Sequence, residues 1–319
     1  MKAKLLYSLL ITFISFTITN RQYQPVIAIV AASIPEDSDD PIEAVVYPTY
    51  SKWAVNSGAR VIPILPWYSH EKIDRILNKV NGVIWQGGMR NLRINGQFEA
   101  LNKYILDKIL AKNENRVHFP AFMICQGFEL VHILLVNSTN ILSNFTAMNY
   151  FSPMEVNENT NNSRLYRKFS EEDFTTLTQL NSTVHYHMYG FHPDLYKNYT
   201  ILDNFFSINS NGYDRDGKKF IGSVEGKNYP IYAVQHHPEK VKYERKIPAD
   251  SIVNSNEAFL MSKKLADFFV EEARKNRQQL EEKELKEFLM IDTVNTQPIF
   301  YHESWVYLFK KQPNRIKKK

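Results

Sequence analysis

Cys125, the run His237-Pro238-Glu239 and the pair Gly87-Gly88 carry the chemistry that this sequence offers. Cys125 is the only cysteine in 319 residues. It follows the apolar run F-P-A-F-M-I and precedes Gln126, Gly127 and a strongly apolar stretch of helical character. A buried strand, a tight turn and a helix form a nucleophile elbow, which exposes a reactive side chain at the carboxyl end of a parallel strand. The helix amino terminus points its dipole at the thiol and favours the thiolate, the form that attacks. A lone buried cysteine that merely packs as a small hydrophobe is the competing reading. The segment V-Q-H-H-P-E-K at 234–240 tips the balance towards reaction. A thiol needs a base, and the base needs an orienting group. His237 supplies the first and Glu239 the second, with Pro238 stiffening the link between them. Cys125, His237 and Glu239 then make a Cys-His-Glu triad for acyl transfer. The backbone N–H groups of Gln126 and Gly88 are the candidate donors to a developing oxyanion. Arg93, in M-R-N-L-R after the glycine pair, is a candidate partner for a carboxylate. Alternation along the strand sends His236 to the face opposite His237.

These groups lie far apart in the chain, so the elements between them must bring them together. Residues 25–32 (P-V-I-A-I-V-A-A), 60–65 (R-V-I-P-I-L), 82–86 (G-V-I-W-Q) and the run ending at Cys125 read as strands. Apolar periodicity places helices at 47–57, 70–80 and 97–112 between them, and a further helix after Cys125. Strand and helix alternate four times, which predicts an α/β fold: a mostly parallel central sheet flanked by helices in three layers. In such sheets, sites form at the carboxyl ends of the strands. Gly87, Gly88 and Cys125 fall there by topology alone. Residues 137–168, rich in Asn, Ser and Thr, read as irregular. A short helix is expected at 170–180, and strands at 204–209, 218–224 and 229–235 extend the sheet in antiparallel fashion. Residues 256–288 read as helical.

Lys2 and Lys4 precede an apolar run at 5–18, followed by Thr19, Asn20, Arg21 and Gln22. That is the charge and length of a secretory signal peptide, over residues 1–20, and it is short for a stable membrane span. Five N-x-S/T sequons, at Asn137, Asn144, Asn161, Asn181 and Asn198, agree with export. With one cysteine, the exported chain forms no internal disulfide and must hold by packing. The formal charge of +5 is concentrated in the last ten residues, which read as part of a basic tail over 296–319 rather than a nucleic-acid surface. Residues 21–295 read as one catalytic domain. No zinc-type Cys/His spacing is present, and the chemistry calls for no metal or cofactor.

Several of these stretches resemble the gamma-glutamyl hydrolases, cysteine peptidases of the class I glutamine amidotransferase-like group. They are P-V-I-A-I-V, Y-S-K-W-A-V-N-S-G-A-R-V-I-P-I, N-G-V-I-W-Q-G-G, F-P-A-F-M-I-C-Q-G-F-E, F-I-G-S-V-E-G-K-N-Y-P-I-Y-A-V-Q-H-H-P-E-K and F-F-V-E-E-A-R-K-N, spread over 25–276. The resemblance implies the class I amidotransferase-like sandwich. It implies hydrolysis of γ-linked glutamates from folylpoly-γ-glutamates through a thioester, with Cys125 as nucleophile, His237 as base and Glu239 orienting it. It also implies secretion or a lysosomal or vacuolar location, and a homodimer. The histidine that the family carries near its pocket matches His187, with His185 on the same face of the strand as the alternative. The chain departs from the family at Gln86, where proline is usual, at Met123, where glycine is usual, and at His236, where tryptophan is usual. A silent exported glycoprotein of the same fold, or a glutamine amidotransferase-type amidase, would share much of this pattern. Export and the lack of a synthase domain argue against the amidase.

Overall fold

The first four parallel strands alternate with helices, and together with a fifth they bring the groups named above to their carboxyl ends. The structure, a computed structural model, describes residues 23–34, 43–158, 160–243, 255–285, 299–301 and 304–311. In chain order these comprise β1 (Val26–Val30), β2 (Ala32–Ile34), β3 (Glu43–Val46), α1 (Pro48–Val55), β4 (Arg60–Ile64), α2 (His70–Leu77), β5 (Gly82–Trp85), α3 (Gln97–Glu114), β6 (Ala121–Ile124) and α4 (Gln126–Val136). There follow β7 (Ser143–Ser152), β8 (Glu155–Val156), α5 (Glu171–Gln179), β9 (Thr183–Gly190), α6 (Pro193–Tyr196), α7 (Thr200–Phe205), β10 (Phe206–Tyr213), β11 (Lys219–Gly226) and β12 (Ile231–Val234). The last are α8 (Lys240–Tyr243), α9 (Asn256–Lys275), α10 (Glu282–Leu285), β13 (Ile299–Tyr301) and β14 (Ser304–Lys310).

The main sheet has eight strands in the order β4-β1-β5-β6-β12-β11-β10-β8. β4, β1, β5, β6 and β12 run parallel, and β11, β10 and β8 add antiparallel strands at one side. All five residues of β1 are buried, as expected of a parallel strand covered on both faces. On one face, Ile73 and Ile76 of α2, Ile105 of α3 and Phe128 of α4 pack on Val83, Trp85 and Met123. On the other, Tyr50 and Trp53 of α1 and Phe268 and Phe269 of α9 cover Ile27, Ile84 and Phe122. The result is the three-layer α/β arrangement read from the sequence.

Three regions differ from that reading. Residues 137–168 are not irregular throughout, because β7 lies there and pairs with β9 in a separate two-stranded sheet. The helical span at 256–288 breaks after Lys275 and returns, among the described residues, only as the short α10 at Glu282–Leu285. Asn81, fully buried, captures the chain just beyond Lys275: its Nδ2 donates to the carbonyls of Asn276 (2.9 Å) and Gln278 (2.8 Å). The stretch at 296–319 is not simply a solvated tail. Its run S-W-V-Y-L-F-K has the β-branched and aromatic character of a strand. β14 pairs with β3, completing a four-stranded sheet in the order β13-β14-β3-β2, with Phe309 buried. The expected signal segment at 1–20 lies outside the described residues. Among those described, no helix is long and apolar enough to cross a membrane. Asn137, Asn144, Asn181 and Asn198 are exposed, and Asn137 closes α4 in the left-handed conformation at φ 51°. The side chain of Asn161 is outside the described set.

Candidate active site

β6 ends at Ile124, and the next residue is bent sharply. Cys125 has φ 52° and ψ −111°, a conformation that an L-residue adopts only at a cost of about 1–3 kcal/mol. Two features hold it there. Its N–H donates to Val234 O on β12 (2.9 Å), and its carbonyl accepts from Glu129 N in the first turn of α4 (3.0 Å). The crowding of the elbow falls on Gly127. A Cβ there would meet Trp85 O at 2.7 Å and Trp85 Cβ at 2.8 Å, so only glycine lets α4 start this close to β5. Met123, where the resemblance expects a small residue, is buried on the α3 side of the sheet beside Trp85 and Leu130.

The end of β12, paired in register with β6 through Ile124 and Val234, delivers His237 and Glu239. The His237 Nδ1–H donates to Glu239 Oε1 at 2.7 Å, and the carboxylate is fully buried. The His237 backbone N–H is fixed on Val184 O of β9 (2.7 Å), and Pro238 O accepts from Ser262 of α9 (2.6 Å). The Nε2 of His237 is buried without a hydrogen-bond partner. With Nδ1 protonated, that nitrogen carries the free lone pair of the ring.

Gly87 lies between the two strand ends. A side chain there would meet His237 Cε1 at 3.0 Å and Cys125 Cβ at 3.3 Å. The thiol and the imidazole thus face one small space that glycine leaves open. In this state the thiol donates to Tyr186 O on β9 (3.8 Å) and not to the imidazole. The sequence reading expects a helix terminus to favour the thiolate. Here burial pushes the Cys125 thiol well above its ordinary value, and Glu129 and Glu239 push in the same direction. The Gln126 N–H and Lys240 oppose them without prevailing. The resting sulfur is a thiol, and it needs a base to react.

The Gln126 side chain reaches the glycine loop. Its Nε2 donates to Arg90 O (2.7 Å) and its Oε1 accepts from Arg90 N (3.1 Å), lying against Gly88. The two candidate oxyanion donors are therefore tied together. Gln86, in place of the family's proline, also serves this loop. It donates to Val45 O (2.7 Å) and accepts from Tyr47 N (3.1 Å), fixing β3 and α1 beside it.

β9 brings both middle histidines next to β12. The His187 Nδ1–H donates to Tyr189 O (2.8 Å), which leaves Nε2 as a buried lone pair without a partner. Burial lowers its pKa to about 4. His185 donates through Nε2 to Thr183 Oγ1 (2.8 Å), since that hydroxyl gives its own proton to Ser152 O (2.7 Å). The two rings are 5.5 Å apart. His236 points away from Gly87, lining a small cavity with Phe169, Pro238 and Met261. Among the described residues, no group of three or more His, Cys, Asp or Glu could hold a metal ion.

Arg93 is exposed on the loop between β5 and α3, its backbone N–H bound to Glu99 Oε1 (2.9 Å). The buried guanidinium of this loop is that of Arg90, which donates to Ser33 Oγ (2.8 Å) and lies over the Phe98 ring. Other residues escape the sequence reading. Glu129, four residues after Cys125, is buried on α4 and accepts from Gln235 Nε2 (3.0 Å). Burial raises its pKa to about 8. A lone carboxylate in F-E-L-V-H-I-L-L-V was the available signal. Tyr50 was visible only as part of the apolar stripe of α1.

A class-I glutamine amidotransferase family model matches residues 53–253. Gamma-glutamyl hydrolase of Mus musculus is 34% identical over 234 residues, covering 73% of this chain and 72% of its own. Gamma-glutamyl hydrolase 1 of Arabidopsis thaliana is 33% identical over 264 residues, covering 81% and 74%. Gamma-glutamyl hydrolase B of Dictyostelium discoideum is 29% identical over 271 residues, covering 84% and 78%. The amidotransferase match spans more than half of the chain and the hydrolases align along most of it, so the chain belongs to the gamma-glutamyl hydrolase family within the class-I glutamine amidotransferase group.

Proposed function

We propose that the protein hydrolyses γ-glutamyl amide bonds, with folylpoly-γ-glutamates as the substrate class. One observation carries the reading: Cys125, strained and buried, faces the same glycine as the imidazole of His237, whose Nε2 lone pair is free. His237 Nε2 takes the thiol proton as the sulfur attacks the γ-carbonyl carbon. Glu239 holds the ring by Nδ1 and stabilises the imidazolium that forms. The Gln126 and Gly88 N–H groups donate to the oxyanion. Removing one such donor costs about 3–4 kcal/mol of barrier. Collapse breaks the C–N bond, and the imidazolium gives its proton to the departing glutamate nitrogen. Water, deprotonated by His237, then attacks the thioester, and sulfur leaves to recover its proton. Burial raises the Glu129 pKa to about 8, so below that pH this carboxyl, four residues after Cys125, is protonated and carries no negative charge.

The signal-like amino terminus and the exposed asparagines of four sequons support an exported glycoprotein, secreted or delivered to a lysosome or vacuole. The resemblance adds a homodimer. The test is release of glutamate from γ-linked diglutamate and from pteroylpolyglutamate. Activity that vanishes in Cys125→Ala supports the reading. No turnover by folded protein with a reduced thiol overturns it.

A further inference from the structure

Residues 86–96, which include Gly88, form neither helix nor strand. Two successive glycines in that stretch have the widest choice of backbone conformation, so side chains from elsewhere must fix it. The Gly87 N–H is spent on the Tyr50 hydroxyl (2.8 Å), and the Arg93 N–H on Glu99 Oε1 (2.9 Å). Between these two anchors the loop is held at Arg90. The Gln126 carboxamide closes a two-bond ring with the Arg90 backbone, donating from Nε2 to Arg90 O (2.7 Å) and accepting at Oε1 from Arg90 N (3.1 Å). A side chain thus offers the loop the pair of bonds that a neighbouring strand would offer. The Arg90 guanidinium is buried beyond this ring. Its Nη1 donates to Ser33 Oγ on β2 (2.8 Å), its Nε lies 3.6 Å from the buried Glu99 Oε1, and its plane lies 4.7 Å from the Phe98 ring centroid. Gln126 Oε1 also rests against Gly88, 2.7 Å from where a Cβ would stand. Among the described residues, the N–H groups of Gly88 and Met89 donate to no protein acceptor.

We propose that Gln126 acts through its side chain as a positioning residue: by gripping the Arg90 backbone, its carboxamide sets where the Gly88 N–H stands relative to the Gln126 N–H. One residue then carries one oxyanion donor and holds the other. The turn that strains Cys125 starts α4 at Gln126, so the same turn places both donors against the sulfur. The kinetic consequence rests on the hydrolase reading, whereas the grip itself rests on geometry alone. Preorganised donors help the transition state only when they need no rearrangement as charge develops, so a loosened Gly88 costs rate and not ground-state binding.

The experiment compares wild type with Gln126→Met, which keeps the length and helix propensity of the side chain but neither of its polar atoms. Position 126 is half-buried, so the exchange does not disturb the core. Amide hydrogen exchange at Arg90 becomes about tenfold faster in Q126M. In turnover of a γ-linked diglutamate, Q126M loses about 10- to 100-fold in kcat, with KM within about threefold. A γ-glutamyl aldehyde takes the Cys125 sulfur at its carbon and leaves the former carbonyl oxygen, with the thiol proton or its negative charge, in the oxyanion position. Its affinity falls in step with kcat, while that of the corresponding γ-glutamyl alcohol, which cannot take up the sulfur, stays within about threefold. Unchanged exchange at Arg90 overturns the proposal whatever the kinetics. Faster exchange with kcat intact, or a loss confined to KM, makes the contact mere loop packing and overturns it as well. An inactive wild type counts against the hydrolase reading, and exchange at Arg90 still judges the grip.

Discussion

The ends of β6 and β12 lie side by side in the sheet, and they hold their reactive groups by opposite means. At β6 the work is done by the backbone. Cys125 sits at a positive φ, is anchored through its own N–H and C=O, and depends on the absence of a side chain at Gly127. Its thiol has only a long hydrogen bond to a carbonyl. At β12 the work is done by side chains. His237 is oriented by Glu239, with Tyr50 behind it, while Ser262 of α9 fixes the intervening proline. An attacking atom must be held rigidly but left open, and backbone strain does that. A proton carrier must keep one tautomer, and only hydrogen-bonding partners specify a tautomer.

That contrast can be broken from either side. Cys125→Ala removes the proposed nucleophile and has the largest expected effect, with glutamate release falling to the uncatalysed level in a product assay. Glu239→Gln keeps the shape but frees the ring tautomer. The expected loss is about 100-fold in kcat, with little change in the urea midpoint. Gly127→Ala attacks the backbone support. It costs about 1–3 kcal/mol by urea unfolding and takes activity with it, because α4 and Cys125 must move together away from Trp85. If Gly127→Ala left both stability and kcat unchanged, the backbone half of the comparison would fail.

The most gradual effect is a dependence on pH. Folding raises the Glu129 pKa to about 8, so its contribution is present below the ordinary carboxylate range and is lost as pH rises towards 8. Folding lowers His187 to about 4 and His236 to about 3, so theirs is present above the ordinary imidazole range and is lost as pH falls through it. Glu129→Gln should therefore gain stability relative to wild type between pH 5 and pH 8, by up to a few kcal/mol, as read from urea midpoints at the two values. A constant difference between the two proteins across that range would show that Glu129 keeps an ordinary carboxylate pKa in the fold.

The parallel core was legible because its strands are continuous apolar runs and its helices carry clear stripes. Cys125 and the His-Pro-Glu run were legible because each falls at a strand end. β7 was not, since Asn144, Thr146 and Asn149 give it the composition of a loop, and its hydrogen bonds come from a distant strand. β14 was masked by the basic residues after it. Tyr50 looked like packing because α1 does bury its ring; only the structure shows its hydroxyl accepting from the Gly87 N–H at 2.8 Å and lying 3.4 Å from His237 Nδ1. The thiol itself was misjudged for a similar reason. A sequence shows the helix that would stabilise a thiolate, but not the desolvation that outweighs it.

The order of the main sheet has a consequence for how the protein is made. β6, spanning residues 121–124, ends up between β5 and β12, yet β12 spans residues 231–234. On the ribosome, where amino-terminal parts fold first, β4, β1, β5 and β6 are available as a parallel unit long before β12 emerges. Until then β6 is an open edge, the kind of strand that invites a wrong neighbour. The acceptor of the Cys125 N–H, Val234 O, is also missing. The nascent chain therefore carries its thiol for more than a hundred residues of synthesis without the strand that braces it or the histidine beside it. The same late strand closes the sheet and leads into the proposed base, so a chain stalled before β12 has the elbow sequence but cannot assemble the candidate site.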